Sequence, residues 1–194
     1  MSEPIRILGI AGSLRAQSYN LAALRAAQKL VPAGVTLELF PLGGIPPYNQ
    51  DEERKPPQKV VDLKARIRNA DGILLATPEY NYSIPGVLKN AIDWASRPYG
   101  DNAWDGKPVA LMSASMGLFG GVRAQYHLRQ CFVFLNMYAV LQPEVAIGNA
   151  SQKFSQQGEL TDNAARQLCA ARAEPRRQGA RGENARARRG LIAT

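Results

Sequence analysis

The order of apolar runs constrains this chain most. "IRILGIA" (5–11), "VTLELF" (35–40), "GILLAT" (72–77) and "PVALMSAS" (108–115) recur along it, each followed by a loop and a helical stretch. The first is continuous and carries β-branched residues, as a strand buried on both faces does. A fifth run, "YAVLQPEVAI" (138–147), is expected to be an edge or bulged strand, because Pro143 cannot donate to a ladder. Between the runs, "NLAALRAAQKLV" (20–31) places Leu21, Leu24, Ala27 and Val31 on one helical face, and Pro32 and Gly34 stop it. "QKVVDLKARIRNA" (58–70) is amphipathic. Residues 85–96 read as a helix with Pro85 in its first turn, and residues 121–137 as a longer one. Strands alternating with helices predict an α/β domain around a parallel sheet, since parallel strands need crossovers. Right-handed crossovers and five strands favour the order 2-1-3-4-5.

In such a sheet ligands bind beyond the carboxyl ends of the strands, where the order reverses between strands one and three. Two loops meet there. The first, "GSLRAQSYN" (12–20), opens onto a helix whose unpaired N–H groups and dipole suit a phosphate. Ser13 and Ser18 offer hydroxyls and Arg15 a charge. A plain strand-to-helix turn with Ser18 or Asn20 as N-cap uses some of the same residues. G-x-G-x-x-G and the P-loop pattern are both absent, because residues 9–14 read "GIAGSL". A mononucleotide is left as the fitting ligand.

The second loop, "PEYNYS" (78–83), leaves the core abruptly. Pro78 ends the ladder, and the following backbone groups stand beside Tyr80 and Tyr82. A flavin ring uses that combination of hydrogen-bonding edge and flat apolar cover; an aromatic-rimmed surface loop has the same spacing. "SASMGLFGG" (113–121) supplies small residues after strand four, where Gly117, Gly120 and Gly121 allow close backbone approach or simple flexibility. Trp94 reads as helix core.

"GSLRAQSYN", "PEYNYSIPGVLKNAIDWAS" and "GGVRAQYHLRQ", in that order, resemble the NADPH-dependent FMN reductase family, most closely its bacterial quinone/chromate reductase branch. The likeness runs over about residues 4–165. It implies a flavodoxin-like three-layer sandwich, non-covalent FMN, NADPH or NADH as electron donor, and a homodimer or homotetramer with the flavin near a subunit interface. By position, the resemblance puts Ser13, Arg15, Ser18 and Asn20 on the phosphate. It puts Pro78, Glu79, Tyr80 and Asn81 on the ring, flanked by Ser115 and Gly117. Tyr82, Arg123, Tyr126 and Glu144 fall at the interface. The expected activity is ping-pong hydride transfer to quinones, free flavins or other oxidised acceptors, chromate among them. The cofactor carries the chemistry, so no catalytic acid or base is required.

Other classes fit less well. A flavodoxin-like electron carrier without NAD(P)H turnover is the alternative, but carriers of that type need a strongly acidic docking face. "SASMG" approaches the hydrolase elbow, yet the only histidine, His127, has no acid between it and Ser115. Clusters of His and Cys for a metal are missing. The net charge is +8, which suggests nucleic acid. Residues 166–194, however, hold eight Arg against two acids, so six of those charges sit at the C-terminal end. That stretch has no interleaved aromatics, so a nucleic-acid role is not favoured.

No apolar run is long enough for a membrane span, and the N-terminus reads as a strand rather than a signal peptide. Cys131 and Cys169 fit no paired spacing, which suits a reducing cytoplasm. Residues 1–170 are expected to form the reductase domain and 171–194 an Arg/Ala-rich disordered tail. The last helix starts in "LTDNAARQL", capped by Thr161 or Asp162, and then departs from the leucines and aromatics of the family. A frameshift in a GC-rich coding sequence or a divergent ending is expected to leave one sheet face poorly covered.

Overall fold

The computed structural model describes residues 3–173, with side chains through Ala170. The sheet is parallel throughout and runs β2 (Val35–Phe40), β1 (Ile5–Ala11), β3 (Gly72–Thr77), β4 (Pro108–Ala114), β5 (Tyr138–Ala139), with β6 (Val145–Ile147) also on β4. The expected order 2-1-3-4-5 therefore holds, with one correction. The fifth run is two short strands rather than one. β5 pairs with Pro108–Val109 and β6 with Met112–Ala114, and the ladder is broken around Pro143, which has no N–H to give. The last strand position is thus shared by two segments of a six-stranded sheet.

Alternation along each strand sends side chains to two cores. Ile7, Leu74, Met112 and Val145 face α1 (Tyr19–Lys29) and α6 (Asn163–Ala173). Leu8, Ile73, Leu75 and Leu111 face α2 (Gln58–Asn69), α3 (Gly86–Ala95) and α4 (Val122–Leu135). A four-residue helix, α5 (Ala150–Lys153), links β6 to the loop before α6. Burying Leu63, Leu88 or Leu111 to this depth stabilises by about 2 kcal/mol each.

Of the face expected to be poorly covered in part, the β4–β6 side is packed by α6. Ala165 and Cys169 of α6 are buried against α1 and the β4–β6 side, and Met112, Val145 and Ile147 are buried below them. Small side chains suffice because they let α6 approach closely. Asp162 is its cap, accepting the Ala165 N–H at 2.8 Å. The helix runs to Ala173, three residues past the expected domain end, and residues 174–194 lie outside the described residues. Among the described residues no helix is long and apolar enough to cross a membrane.

Trp94 is core, as expected, and its indole N–H donates to the Pro46 carbonyl at 2.8 Å. Asn90 accepts from Tyr48 N–H and donates to the same carbonyl. The Pro/Gly-rich loop after β2 is thereby pinned to α3 rather than left to wander.

Candidate flavin site

The ends of β1, β3 and β4 bring residues 12–18, 78–85 and 115–121 side by side. The first loop is anchored by the Gly12 N–H, which donates to Ala76 at 2.8 Å. A Cβ on Gly12 would stand 3.1–3.3 Å from Leu88 and Pro85, so a side chain there would press α3 back by a few tenths of an ångström. Ser13 Oγ accepts the Arg15 N–H at 3.3 Å, and Ser18 Oγ caps α1 by accepting the Leu21 N–H at 3.4 Å. No acid occupies the first turn of α1, so its positive end is not neutralised. Arg15 is exposed, with its guanidinium 5.4 Å from the Tyr19 ring centre. The residues at this end therefore suit a phosphate.

Asn20 turns the other way. Its side chain is buried, donates to the Ala114 carbonyl at 2.9 Å and accepts the Ala114 N–H at 2.8 Å. It ties α1 to the end of β4. Ser18, not Asn20, is the N-cap.

The second loop is a two-residue reverse turn. Tyr80 and Ser83 exchange both backbone hydrogen bonds, at 3.1 and 2.9 Å, with Asn81 and Tyr82 at φ +50° and +65°. That is the geometry of a type I′ turn, easy for asparagine and strained for tyrosine. Strain of this kind costs roughly 1–3 kcal/mol and persists only where neighbours impose it. The amino end of α4 does so. Glu79 accepts the Arg123 and Ala124 N–H groups at 3.0 and 3.4 Å and pairs with the Arg123 guanidinium at 2.8 Å. Arg123 lies over the Tyr82 ring at 4.0 Å and the Phe119 ring at 4.9 Å. His127 Nδ1 and Ser83 Oγ are hydrogen-bonded at 2.9 Å. Glu79 thus supplies the cap that Gly121, the residue before α4, cannot. Pro78 is buried, whereas Tyr80 and Asn81 are open to solvent.

The third loop is set by the turn after β6, whose carbonyl and N–H groups meet it. Ser115 N–H donates to Ile147, Ala150 N–H to Ser115 and Asn149 N–H to Gly117, at 3.0–3.2 Å. Gly120 (φ +62°) and Gly148 allow the contact. A Cβ on Gly148 would overlap the Leu118 carbonyl oxygen and lie 2.9 Å from its carbon. The pair Gly148-Asn149 after a strand was the available signal. Ser115 Oγ accepts the Gly117 N–H at 3.2 Å, while Met116, Leu118 and Phe119 are exposed. Tyr126 is exposed on α4, and Glu144 stands 3.8 Å from Arg129.

The sequence that carries these three loops matches one family. The profile of the NADPH-dependent FMN reductases covers residues 5–152. The chain belongs to the NADPH-dependent FMN reductase family. It is 53% identical to an NAD(P)H-dependent FMN reductase of Pseudomonas aeruginosa, over 87% of this chain and 91% of that protein. It is 44% identical to a quinone reductase of Pseudomonas putida, over 84% and 88%. Among solved structures, the flavoenzyme NAD(P)H:(acceptor) oxidoreductase of Paracoccus denitrificans superposes with a TM-score of 0.80 at 36% identity, covering 87% of this chain and 93% of that one. The fold is flavodoxin-like, as a family member's should be. Among the described residues no cluster of His, Cys, Asp and Glu could hold a metal.

Proposed function

We propose that the chain is an FMN-dependent NAD(P)H oxidoreductase that passes electrons to quinones, and to free flavins, chromate or other oxidised acceptors, by a ping-pong scheme in one open site. The strained Tyr80–Ser83 turn, held by Glu79, Arg123 and His127 beside an un-neutralised helix end, is the observation that carries this reading. Bound FMN supplies the hydride chemistry. Ser13, Arg15 and Ser18 hold its phosphate at the amino end of α1, and Asn20 fixes that end to β4. Pro78, Glu79, Tyr80 and Asn81 present backbone groups to the ring edge, with Glu79 acting through α4. Ser115 and Gly117 approach the ring from the other side. The exposed Tyr80, Met116 and Phe119 receive a flat apolar acceptor and exclude water from it.

The working unit is a homodimer or homotetramer. In support, Tyr126, Val133 and Phe134 are exposed on one helix, α4. Tyr82, Arg123, Tyr126 and Glu144 belong to that contact. Two free thiols suit the cytoplasm. The phosphate assignment is tested by FMN fluorescence titration of Arg15→Ala. Loss of one charge-assisted pair predicts affinity about 10- to 100-fold weaker. An unchanged affinity refutes it.

A further inference from the structure

A cavity of about 460 Å³ opens on the β2 side of the phosphate loop, away from the Tyr80–Ser83 turn. Leu24, Leu39, Phe40 and Leu42 line it, and Arg15 and Arg25 border it. No acid lines it. Arg25 has no ion pair or hydrogen bond among the described residues, and Arg15 meets only the Tyr19 ring and its own loop. Neighbouring cations are held otherwise: Lys29 pairs with Glu159 at 3.3 Å, and Arg166 donates to the Leu160 carbonyl at 3.3 Å. An apolar slot beside two unpaired guanidinium groups suits a flat heteroaromatic ring that carries phosphates. The slot shares Ser13, Leu14 and Arg15 with the loop assigned to the flavin phosphate, so it adjoins the flavin site without coinciding with it.

We infer that this cavity takes the phosphoadenosine end of the electron donor, and that Arg25 binds the 2′-phosphate that NADPH carries and NADH lacks. The inference rests on the reductase reading above and names its preferred donor. Adenine lies between Leu14, which is exposed, and Leu39, which is half-buried at the end of β2. Arg15, shared by both sites, faces the donor's pyrophosphate from one side and the flavin phosphate from the other. The ligand is exchangeable because the slot is open to solvent.

Calorimetric titration of the FMN-loaded full chain with 2′,5′-ADP reads this directly, without turnover. Wild type binds it while keeping its FMN. Arg25→Gln weakens that binding roughly tenfold, as expected for one lost charge-assisted contact. It raises the KM for NADPH by a similar factor and leaves the KM for NADH and both kcat values in place. Gly43→Trp is the second variant. A side chain there has only Leu14 within 4.0 Å, so the indole can fill the mouth of the slot without backbone strain. It weakens 2′,5′-ADP binding and raises the KM for both donors. The inference is overturned if 2′,5′-ADP does not bind wild type, if it displaces FMN, or if Arg25→Gln binds it as wild type does. Failure of the reductase reading looks different: neither donor is oxidised, whatever the 2′,5′-ADP titration gives.

Discussion

Asn20 separates two accounts of the first loop. Its position in the motif groups it with the phosphate ligands, while its carboxamide is spent on the backbone of Ala114. Asn20→Ala removes both hydrogen bonds. The Ala114 N–H and C=O are left in a site only 3% exposed, where water cannot replace the lost partner. An unsatisfied buried group costs about 1–3 kcal/mol, so the pair costs roughly 2–6 kcal/mol. For a chain of this size each kcal/mol lowers Tm by about 2–4 °C. The apoprotein should therefore melt about 10 °C lower, and at least about 4 °C lower. Circular dichroism melts at one protein concentration measure this, which keeps any subunit equilibrium fixed. Asn20→Asp should be no better: its carboxylate can still accept the Ala114 N–H, but it cannot donate to the carbonyl and it buries a charge in a site only 3% exposed. An apoprotein Tm within about 2 °C of wild type, together with a large loss of FMN affinity, refutes the reasoning and puts Asn20 on the phosphate.

Gly148→Ala forces Leu118 and Gly117 to move, at about 1–3 kcal/mol, and should raise the quinone KM several-fold while FMN still binds. Steady-state kinetics on the purified variant decide it, and an unchanged KM counts against the hold of the Gly148–Asn149 turn on the third loop. Glu79→Ala removes the cap of α4 and the partner of Arg123; about 1–2 kcal/mol of stability is lost in a urea titration, and Asn81 amide exchange quickens as the strained turn relaxes. Burial pushes the Cys169 thiol up from 9.0 to about 12. Between about pH 9 and 12 the folded chain keeps a proton that the unfolded chain releases, so this group's contribution is intact below pH 9 and falls as pH rises through that window. Iodoacetamide at pH 8 should label Cys169 only in denaturant.

Much of this was readable along the chain. The near-continuous apolar runs, such as "IRILGIA" and "GILLAT", and their separation by amphipathic helices determine the layers, because a strand apolar on both faces has to be covered on both. The three loops were legible because Pro78 and the glycines mark where strands must stop. What was hidden depended on contacts distant in sequence. Nothing near Asn20 announces Ala114, and nothing near Glu79 announces the amino end of α4. The turn at Tyr80–Ser83 lacks the glycine that normally signals type I′, since α4 holds it by side chains instead. Pro143 signals an irregular strand but not a full break, because local pattern does not say which side of the ladder needs an N–H. The cover supplied by α6 was underestimated for a related reason: alanine and cysteine cover a sheet if the helix lies close.

The most direct test of the central claim is to load the protein with FMN, exclude oxygen, add NADPH without any acceptor, and follow the visible flavin absorbance. The account predicts rapid bleaching with one NADPH consumed per flavin, and return of the colour when a quinone is added. A protein that binds FMN yet keeps its colour until a partner protein supplies electrons would contradict it and establish an electron carrier in its place.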